Sequence, residues 1–217
     1  TRARANMLRE VLTNSDKANK FDSTDLKEVF DLCLSCKACA SECPSNVDIA
    51  TAKAEFQYQF NKANGVSRAD KIFAKSTKYN KMASKFPRIA NFFLSNGITS
   101  NWIKKYSGVA AKRSLPLLSI KRYDKTTQST ASQDIKFTKE VVLLVDEFSN
   151  YLEAEIAQDS YELLTQLGYN VSCVSNLDSA RALLSKGFLE EAKQCINKNV
   201  SVLSSKVSEH KPLLGIE

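Results

Sequence analysis

The sequence predicts an α+β protein, in which a helical N-terminal region precedes a small, truncated α/β region with a parallel sheet. In the first two thirds of the chain, apolar residues recur at helical spacing. After a polar stretch, short apolar runs rich in β-branched residues alternate with helical stretches, and this order favours a parallel sheet with right-handed crossovers. We therefore predict a helical domain over residues 1–123, a linker over 124–134 and a partial α/β domain over 135–217.

Helix signals divide the N-terminal region into five predicted helices. The first covers residues 2–12, and the second begins near Ser23, which can cap it. The third covers 47–63 and stops at Gly65. A basic helix is predicted over 67–85, and Pro87 opens a short apolar helix that runs up to Gly97. We assign the aromatic and large apolar residues that follow to packing, and these are Trp102, Ile103, Tyr106 and the Leu115–Leu118 run.

The C-terminal region alternates strands and helices. Residues 141–145 form a continuous apolar run of the kind found in buried strands, and 169–174 and 212–217 read as a second and a third strand. Helices are predicted over 151–167, 177–184 and 188–203. A sheet of only three strands is small, and the chain starts at Thr1 without a methionine, so we expect an excised piece of a longer protein.

Composition excludes several classes of function. A chain of 217 residues with 43% hydrophobic content can bury a core, and it has no apolar run long enough to cross a bilayer and no signal-peptide pattern. We therefore expect a cytoplasmic protein. With His210 as the single histidine, a histidine-rich zinc site or a Ser-His-Asp triad is close to excluded, and we predict that His210 is solvated.

The positive charge is concentrated in the middle of the chain. From Lys62 to Arg122 there are fourteen basic residues and one acid, Asp70, which gives this stretch a charge of +13 against −6 for the remainder. A basic surface of this kind suits a protein partner or covering domain, a solvated face, nucleic acid or anionic lipid. We favour a protein partner and consider nucleic acid unlikely, while peripheral membrane association stays compatible with the pattern.

Four cysteines give the strongest signal for chemistry. Cys33, Cys36, Cys39 and Cys43 lie in CLSCKACASECP, which matches the bacterial ferredoxin spacing C-x2-C-x2-C-x3-C-P. Thiolates three residues apart can each reach a different iron of a [4Fe-4S] cubane, while the amides between them donate to cluster sulfur. Structural zinc is the alternative, but zinc sites usually pair two separate Cys-x-x-Cys knuckles. A disulfide framework is disfavoured in a reducing compartment.

The number of clusters stays open at this point. In two-cluster proteins the fourth cysteine of such a run ligates the neighbouring cluster, and this chain has one run only. Cys43 therefore either completes a cluster within this chain or serves a second cluster whose other ligands lie elsewhere. Cys173, in a predicted strand, and Cys195, in a predicted helix, are interpreted as small core residues rather than as ligands.

The stretch from Asp31 to Phe60 resembles the second ferredoxin-type motif of FAD-linked oxidases and dehydrogenases of the D-lactate dehydrogenase and glycolate oxidase type. The likeness continues through FPRIANFFLSNG, RSLPLL, VVLLVDEFSNYLEAEI, LLSKGFLEEAK and GIE. The resemblance implies an upstream FAD domain with a first cysteine run, a downstream cysteine-rich domain similar to that of heterodisulfide reductase, and oxidation of a D-2-hydroxy acid.

On this resemblance, the chain is an electron-transfer segment of an FAD-linked oxidoreductase. Cys33, Cys36 and Cys39 would bind one [4Fe-4S] cluster and Cys43 another, and the clusters would be incomplete in this chain alone. FAD, the substrate site and all catalytic residues would belong to the parent protein, which passes electrons on to an acceptor that the sequence does not identify.

Two other functions are compatible with the sequence. One is a zinc-binding module whose basic surface takes nucleic acid or a protein partner, and the other is a metal-free scaffold that docks a partner enzyme. In the C-terminal region, Asp146, Glu147 and Asn150 follow the first predicted strand, the usual place for ligands in open parallel sheets. No phosphate-cradling loop accompanies them, so we favour helix capping by Ser149 or Asn150 over a substrate role.

Overall fold

The structure is a computed structural model that describes residues 2–123 and 139–216. The predicted linker over 124–134 lies outside the described residues. The chain divides into two compact units, of which unit 1 comprises Thr1–Ala74 and Arg181–Lys193, and unit 2 comprises Lys75–Ala180 and Gln194–Glu217. The domain boundaries drawn from the sequence at residues 123 and 135 stay predictions.

Unit 1 is a helical body around an aromatic core. Its helices are α1 (Arg2–Asn14), α2 (Thr24–Asp31), α3 (Ala38–Glu42), α4 (Ile49–Asn64), α5 (Arg68–Ala74) and α11 (Arg181–Ser185), joined by the first residues of α12 (Leu189–Leu203). The buried core consists of Leu26, Phe30, Ile49, Phe56 and Phe60. The rings of Phe30 and Phe56 meet edge to face at 5.2 Å between centroids, a favoured aromatic geometry.

The helix ends in unit 1 follow the local sequence signals. The Ser23 side chain accepts from the amide of Leu26 and caps α2, as predicted. Asp48 caps α4 in the same way through the amide of Thr51, and α4 ends at Gly65 with a positive φ. The short helix α3 was not predicted, because five residues are too few to show a helical period.

Residues 181–193 pack on α4 and α5 within unit 1. Asn61 Nδ2 donates to the carbonyl of Lys186 at 3.0 Å, and Lys186 Nζ forms an ion pair with Asp70 at 2.8 Å. Gly187 lies directly against the α4 backbone, where a Cβ atom would come within 2.7 Å of Gln57 C and Tyr58 N. Unit 1 is therefore assembled from two stretches of chain that are far apart in sequence.

Unit 2 combines helices with a small parallel sheet. Its helices are α6 (Ser76–Ala83), α7 (Pro87–Ser95), α8 (Gly97–Ser107), α9 (Glu147–Tyr151), α10 (Ala154–Gln166) and the remainder of α12. The strands β1 (Lys139–Leu144), β2 (Tyr169–Val174) and β3 (Leu213–Gly215) are parallel in the order β2-β1-β3. Val142, Leu143 and Val145 are fully buried. The predicted α+β class, with helices before a three-stranded parallel sheet, is confirmed.

One predicted helix is divided in the structure, and another begins later than predicted. The basic helix expected over 67–85 breaks at Lys75, which has φ −99° and ψ 16° and separates α5 from α6. The helix expected over 151–167 begins at Ala154 as α10, while Tyr151 is the last residue of α9, a short helix that was not predicted. Helical periodicity continues across Lys75, so the apolar pattern alone does not locate that break.

The packing role assigned to Trp102, Tyr106 and Leu117 is wrong, because all three are exposed. Ile103 and Leu115 are half-buried, and Leu118 is buried. An amphipathic stripe indicates that one side of a helix is apolar, but the side that faces inward depends on which neighbour it meets. No helix among the described residues is long and apolar enough to cross a membrane.

Candidate iron–sulfur site

The four cysteines lie on one turn-rich segment between α2 and α4. Cys33 follows the end of α2, Cys36 lies in the loop, Cys39 is within α3 and Cys43 is the residue after α3. Ser35 and Lys37 have φ of 55° and 60°, an uncommon left-handed conformation for residues other than glycine. The backbone changes direction at these two residues, so thiols that are close in sequence can project from different points of the loop.

All four cysteines line one open cavity of about 750 Å³. Cys36 is exposed, while the other three are half-buried, and Cys33 and Cys39 also contact the aromatic core of unit 1. Leu32 and Leu34 extend into solvent on either side of Cys33 and form part of the cavity rim. The loop is thus fixed to the core by two of its thiols, while the cavity itself stays accessible.

Backbone amides approach two of the sulfurs. The amide of Ser35 donates to Cys33 Sγ at 3.5 Å. The amides of Val47 and Ser45 lower the pKa of the Cys43 thiol below its usual value, because a hydrogen bond to sulfur favours the thiolate. The thiolate is the form that ligates metal, so this amide arrangement prepares Cys43 for ligation.

Two cations hold the backbone at the start of the loop. Arg4 Nη2 donates to the carbonyl of Leu32 at 2.8 Å, and Lys53 Nζ donates to the carbonyl of Cys33 at 2.6 Å. Burial lowers the pKa of Lys53, while the neighbouring Cys33 and Asp31 oppose that shift. Sequence reasoning missed both residues, because Arg4 lies in α1 and Lys53 in α4, far along the chain from the carbonyls they bind.

The donor set is chemically suited to an iron–sulfur cluster. The four predicted ligands are all thiols, amide donors lie close to two of them, and the cavity gives space beside them. Within residues 2–123 and 139–216, no three His, Cys, Asp or Glu side chains converge closely enough to hold a single metal ion, and this includes the four cysteines of the loop. The assignment of individual cysteines to individual clusters stays a prediction.

The other two cysteines lie in unit 2. Cys173 Sγ is 3.0 Å from the hydroxyl of Tyr123 and packs on the sheet core, and burial raises its pKa. Cys195 Sγ donates to the carbonyl of Asp178 at 3.3 Å, and burial, with Asp178 and Glu147 nearby, raises its pKa. The raised pKa values keep both thiols protonated, which agrees with the interpretation of Cys173 and Cys195 as interior residues.

The polar residues after β1 serve the local structure. Asp146, rather than Ser149 or Asn150, caps α9 by accepting from the amide of Ser149 at 2.8 Å. Glu147 is buried and accepts from the amide and the hydroxyl of Ser179 at 2.8 and 2.6 Å. The capping prediction was therefore wrong about which residue caps the helix. His210 is exposed, as predicted.

Comparison with known proteins agrees with this chemistry. Residues 1–48 match the family model of the 4Fe-4S dicluster domain. The chain is 25% identical to D-2-hydroxyglutarate dehydrogenase of Pantoea ananatis, with 95% of this chain and 21% of the relative covered. It is also 25% identical to the protein of that name from Escherichia coli, with 94% of this chain and 21% of the relative covered. The chain is similar to these dehydrogenases.

The predicted resemblance to hydroxy-acid dehydrogenases is thereby confirmed, and the match of residues 1–48 supports the expectation of [4Fe-4S] clusters. The chain spans about 21% of the length of the relatives it matches. No solved structure matches it significantly.

Proposed function

We propose that this chain is the electron-transfer segment of an FAD-linked dehydrogenase, in which Cys33, Cys36 and Cys39 ligate one [4Fe-4S] cluster and Cys43 ligates a second. The observation that carries the proposal is the cysteine loop itself. Its four thiols line one cavity within the part of the chain that matches a 4Fe-4S dicluster domain, and amides approach the sulfurs of Cys33 and Cys43.

The parent reaction that we propose is oxidation of a D-2-hydroxy acid to the corresponding 2-oxo acid, which releases two electrons and two protons. The names of the relatives make D-2-hydroxyglutarate the first substrate to test. A bound [4Fe-4S] cluster supplies one-electron redox chemistry. An FAD domain and a cysteine-rich domain are the neighbours proposed for this segment in the parent protein.

The residues of this chain contribute ligation, orientation and partial exclusion of water. Arg4 and Lys53 fix the backbone carbonyls at the start of the loop, so that the thiol of Cys33 keeps its direction. Cys33 and Cys39 pack against the aromatic core, which limits their movement. Amide donors and positive charge beside the sulfurs favour the more negative, reduced state, and these are the means by which a protein raises a cluster potential.

Anaerobic reconstitution tests the proposal. The protein expressed from its native open reading frame is supplied with iron and sulfide, and acid-labile sulfide, visible absorption and electron paramagnetic resonance spectra are recorded. We expect a brown chromophore that dithionite bleaches, and a reduced cluster signal that also appears after addition of D-2-hydroxyglutarate.

Single serine variants test the ligand assignment. Cys36→Ser should remove or strongly alter one cluster signal, and Cys43→Ser should alter a different one. Cys195→Ser is the matched control, because its hydroxyl can still donate to the carbonyl of Asp178 and it should leave both signals unchanged. Stoichiometric zinc without acid-labile sulfide would contradict the proposal and favour the zinc-module alternative.

A further inference from the structure

Helix α8 packs with its polar side inward. Ser100 and Ser107 are only 5% and 7% exposed, whereas Ile98 and Trp102 are 74% and 73% exposed. The hydroxyl of Ser107 is satisfied within the helix, since it donates to the carbonyl of Ile103 at 2.7 Å. A surface helix ordinarily has the opposite arrangement, with its apolar side buried. The outward side of α8 therefore carries the large apolar side chains.

Helix α7 shows a second apolar stripe. Ile89, Phe92 and Phe93 are spaced three and four residues apart and are all exposed. The opposite side is fixed inward by Asn91, whose amide group makes two hydrogen bonds of 2.8 Å to the backbone of Leu118. We call the two stripes together the outer face of α7 and α8, and they comprise Ile89, Phe92, Phe93, Ile98, Trp102 and Tyr106.

The chain segment that carries the outer face has only positive charges. Residues 71–123 contain no Asp or Glu. Arg88 in α7 and Lys105 in α8 are exposed beside the apolar stripes, and further exposed cations follow at Lys112 and Arg113. Such a surface is complementary to a partner that is apolar and negatively charged.

We propose that the outer face of α7 and α8 binds an anionic lipid surface. Helices that lie in a membrane interface have this composition, with Trp, Phe and Ile on the side that enters the lipid and Lys or Arg at its border. Long basic side chains can extend along the apolar layer and place their charges at the lipid headgroups. This inference goes beyond the proposed electron transfer and does not depend on it.

Charge, rather than apolar exposure alone, distinguishes this face. Helix α10 also exposes large apolar residues, including Leu163 at 59%. Its neighbours there are the acids Glu155, Asp159 and Glu162. An anionic surface would repel that helix, so α10 provides an internal comparison within the same unit.

Trp102 is the only tryptophan of the chain and reports directly on the outer face. The experiment records its fluorescence while the protein is titrated with vesicles of phosphatidylcholine containing phosphatidylglycerol, and separately with vesicles of phosphatidylcholine alone. We expect a blue shift with the anionic vesicles, a much weaker one with the neutral vesicles, and a loss of binding in high salt because salt screens the attraction.

Three results would overturn the proposal. The first is an emission that does not move with anionic vesicles. The second is an emission that is already blue before lipid is added, since the face would then be covered by protein. The third is an equal shift with soluble polyglutamate, which would identify an acidic protein as the partner.

Substitutions of exposed residues separate the apolar from the charged contribution to vesicle binding. Phe92→Ser should weaken vesicle binding at least about tenfold, and Lys105→Gln about fivefold. Leu163→Ser on α10 is the matched control and should leave binding unchanged, while circular dichroism checks that all variants fold. Equal weakening by Leu163→Ser, or no weakening by Phe92→Ser, would also overturn the proposal.

Discussion

Gly187→Ala should destabilise the cysteine-bearing unit through two separable effects. Gly187 has a φ of +73°, where a residue with a Cβ is strained by about 1–3 kcal/mol. Its added Cβ would also lie 2.7 Å from Gln57 C and Tyr58 N. Because these are backbone atoms of α4, the helix or the 181–193 segment must move, and overpacking of this kind costs about 1–3 kcal/mol more.

Gly65→Ala isolates backbone strain. Gly65 is in the same unit with φ 79° and ψ 172°, a region essentially confined to glycine, and a Cβ there meets nothing within 4 Å. Gly65→Ala should therefore lose only the strain contribution of about 1–3 kcal/mol. Urea denaturation should give Gly187→Ala a loss of unfolding free energy of about 2–6 kcal/mol, the sum of strain and overlap. A loss of about 1 kcal/mol or less for Gly187→Ala would refute the argument that the 181–193 segment packs tightly on α4.

Two further predictions concern ionisable side chains, of which Lys53 is half-buried and Glu147 is buried. Lys53→Met removes the hydrogen bond from the ammonium to the carbonyl of Cys33 and should lower the unfolding free energy by about 1.5 kcal/mol in urea denaturation. It should also lower the reduction potential of the reconstituted cluster, because a positive charge is lost. An unchanged potential would contradict this prediction. Burial raises the pKa of Glu147, although the hydrogen bonds from Ser179 oppose that shift. The protonated side chain therefore contributes stability that is complete below the unfolded pKa of about 4.3 and is lost as pH rises through the folded pKa. Glu147→Gln should therefore gain stability relative to the natural protein as pH rises through that window, measured by denaturation across pH, and a constant difference would contradict the assignment.

Features that depend on neighbouring residues were predictable. The cysteine spacing indicated the chemistry, and the caps at Ser23 and Gly65 gave the helix ends within a residue or two. The second strand was predicted with its observed bounds, Tyr169–Val174. In each case the information is local, because a cap or a strand period is set by residues a few positions apart.

Features that depend on distant residues were not predictable. No local signal indicates that Arg4 and Lys53 bind carbonyls of the cysteine loop, and those contacts set the environment of the candidate site. The break at Lys75 is likewise hidden, since helical periodicity continues across it.

The sequence by itself therefore determined the candidate ligands, most helices and the parallel direction of the strands, because spacing and periodicity encode them directly. Only the tertiary structure decided that residues 181–193 complete the cysteine-bearing unit and that α8 turns Trp102 outward. The physical reason is that an apolar stripe or a glycine specifies a requirement for contact or for space, while the identity of the partner depends on which distant segments the folded chain brings together.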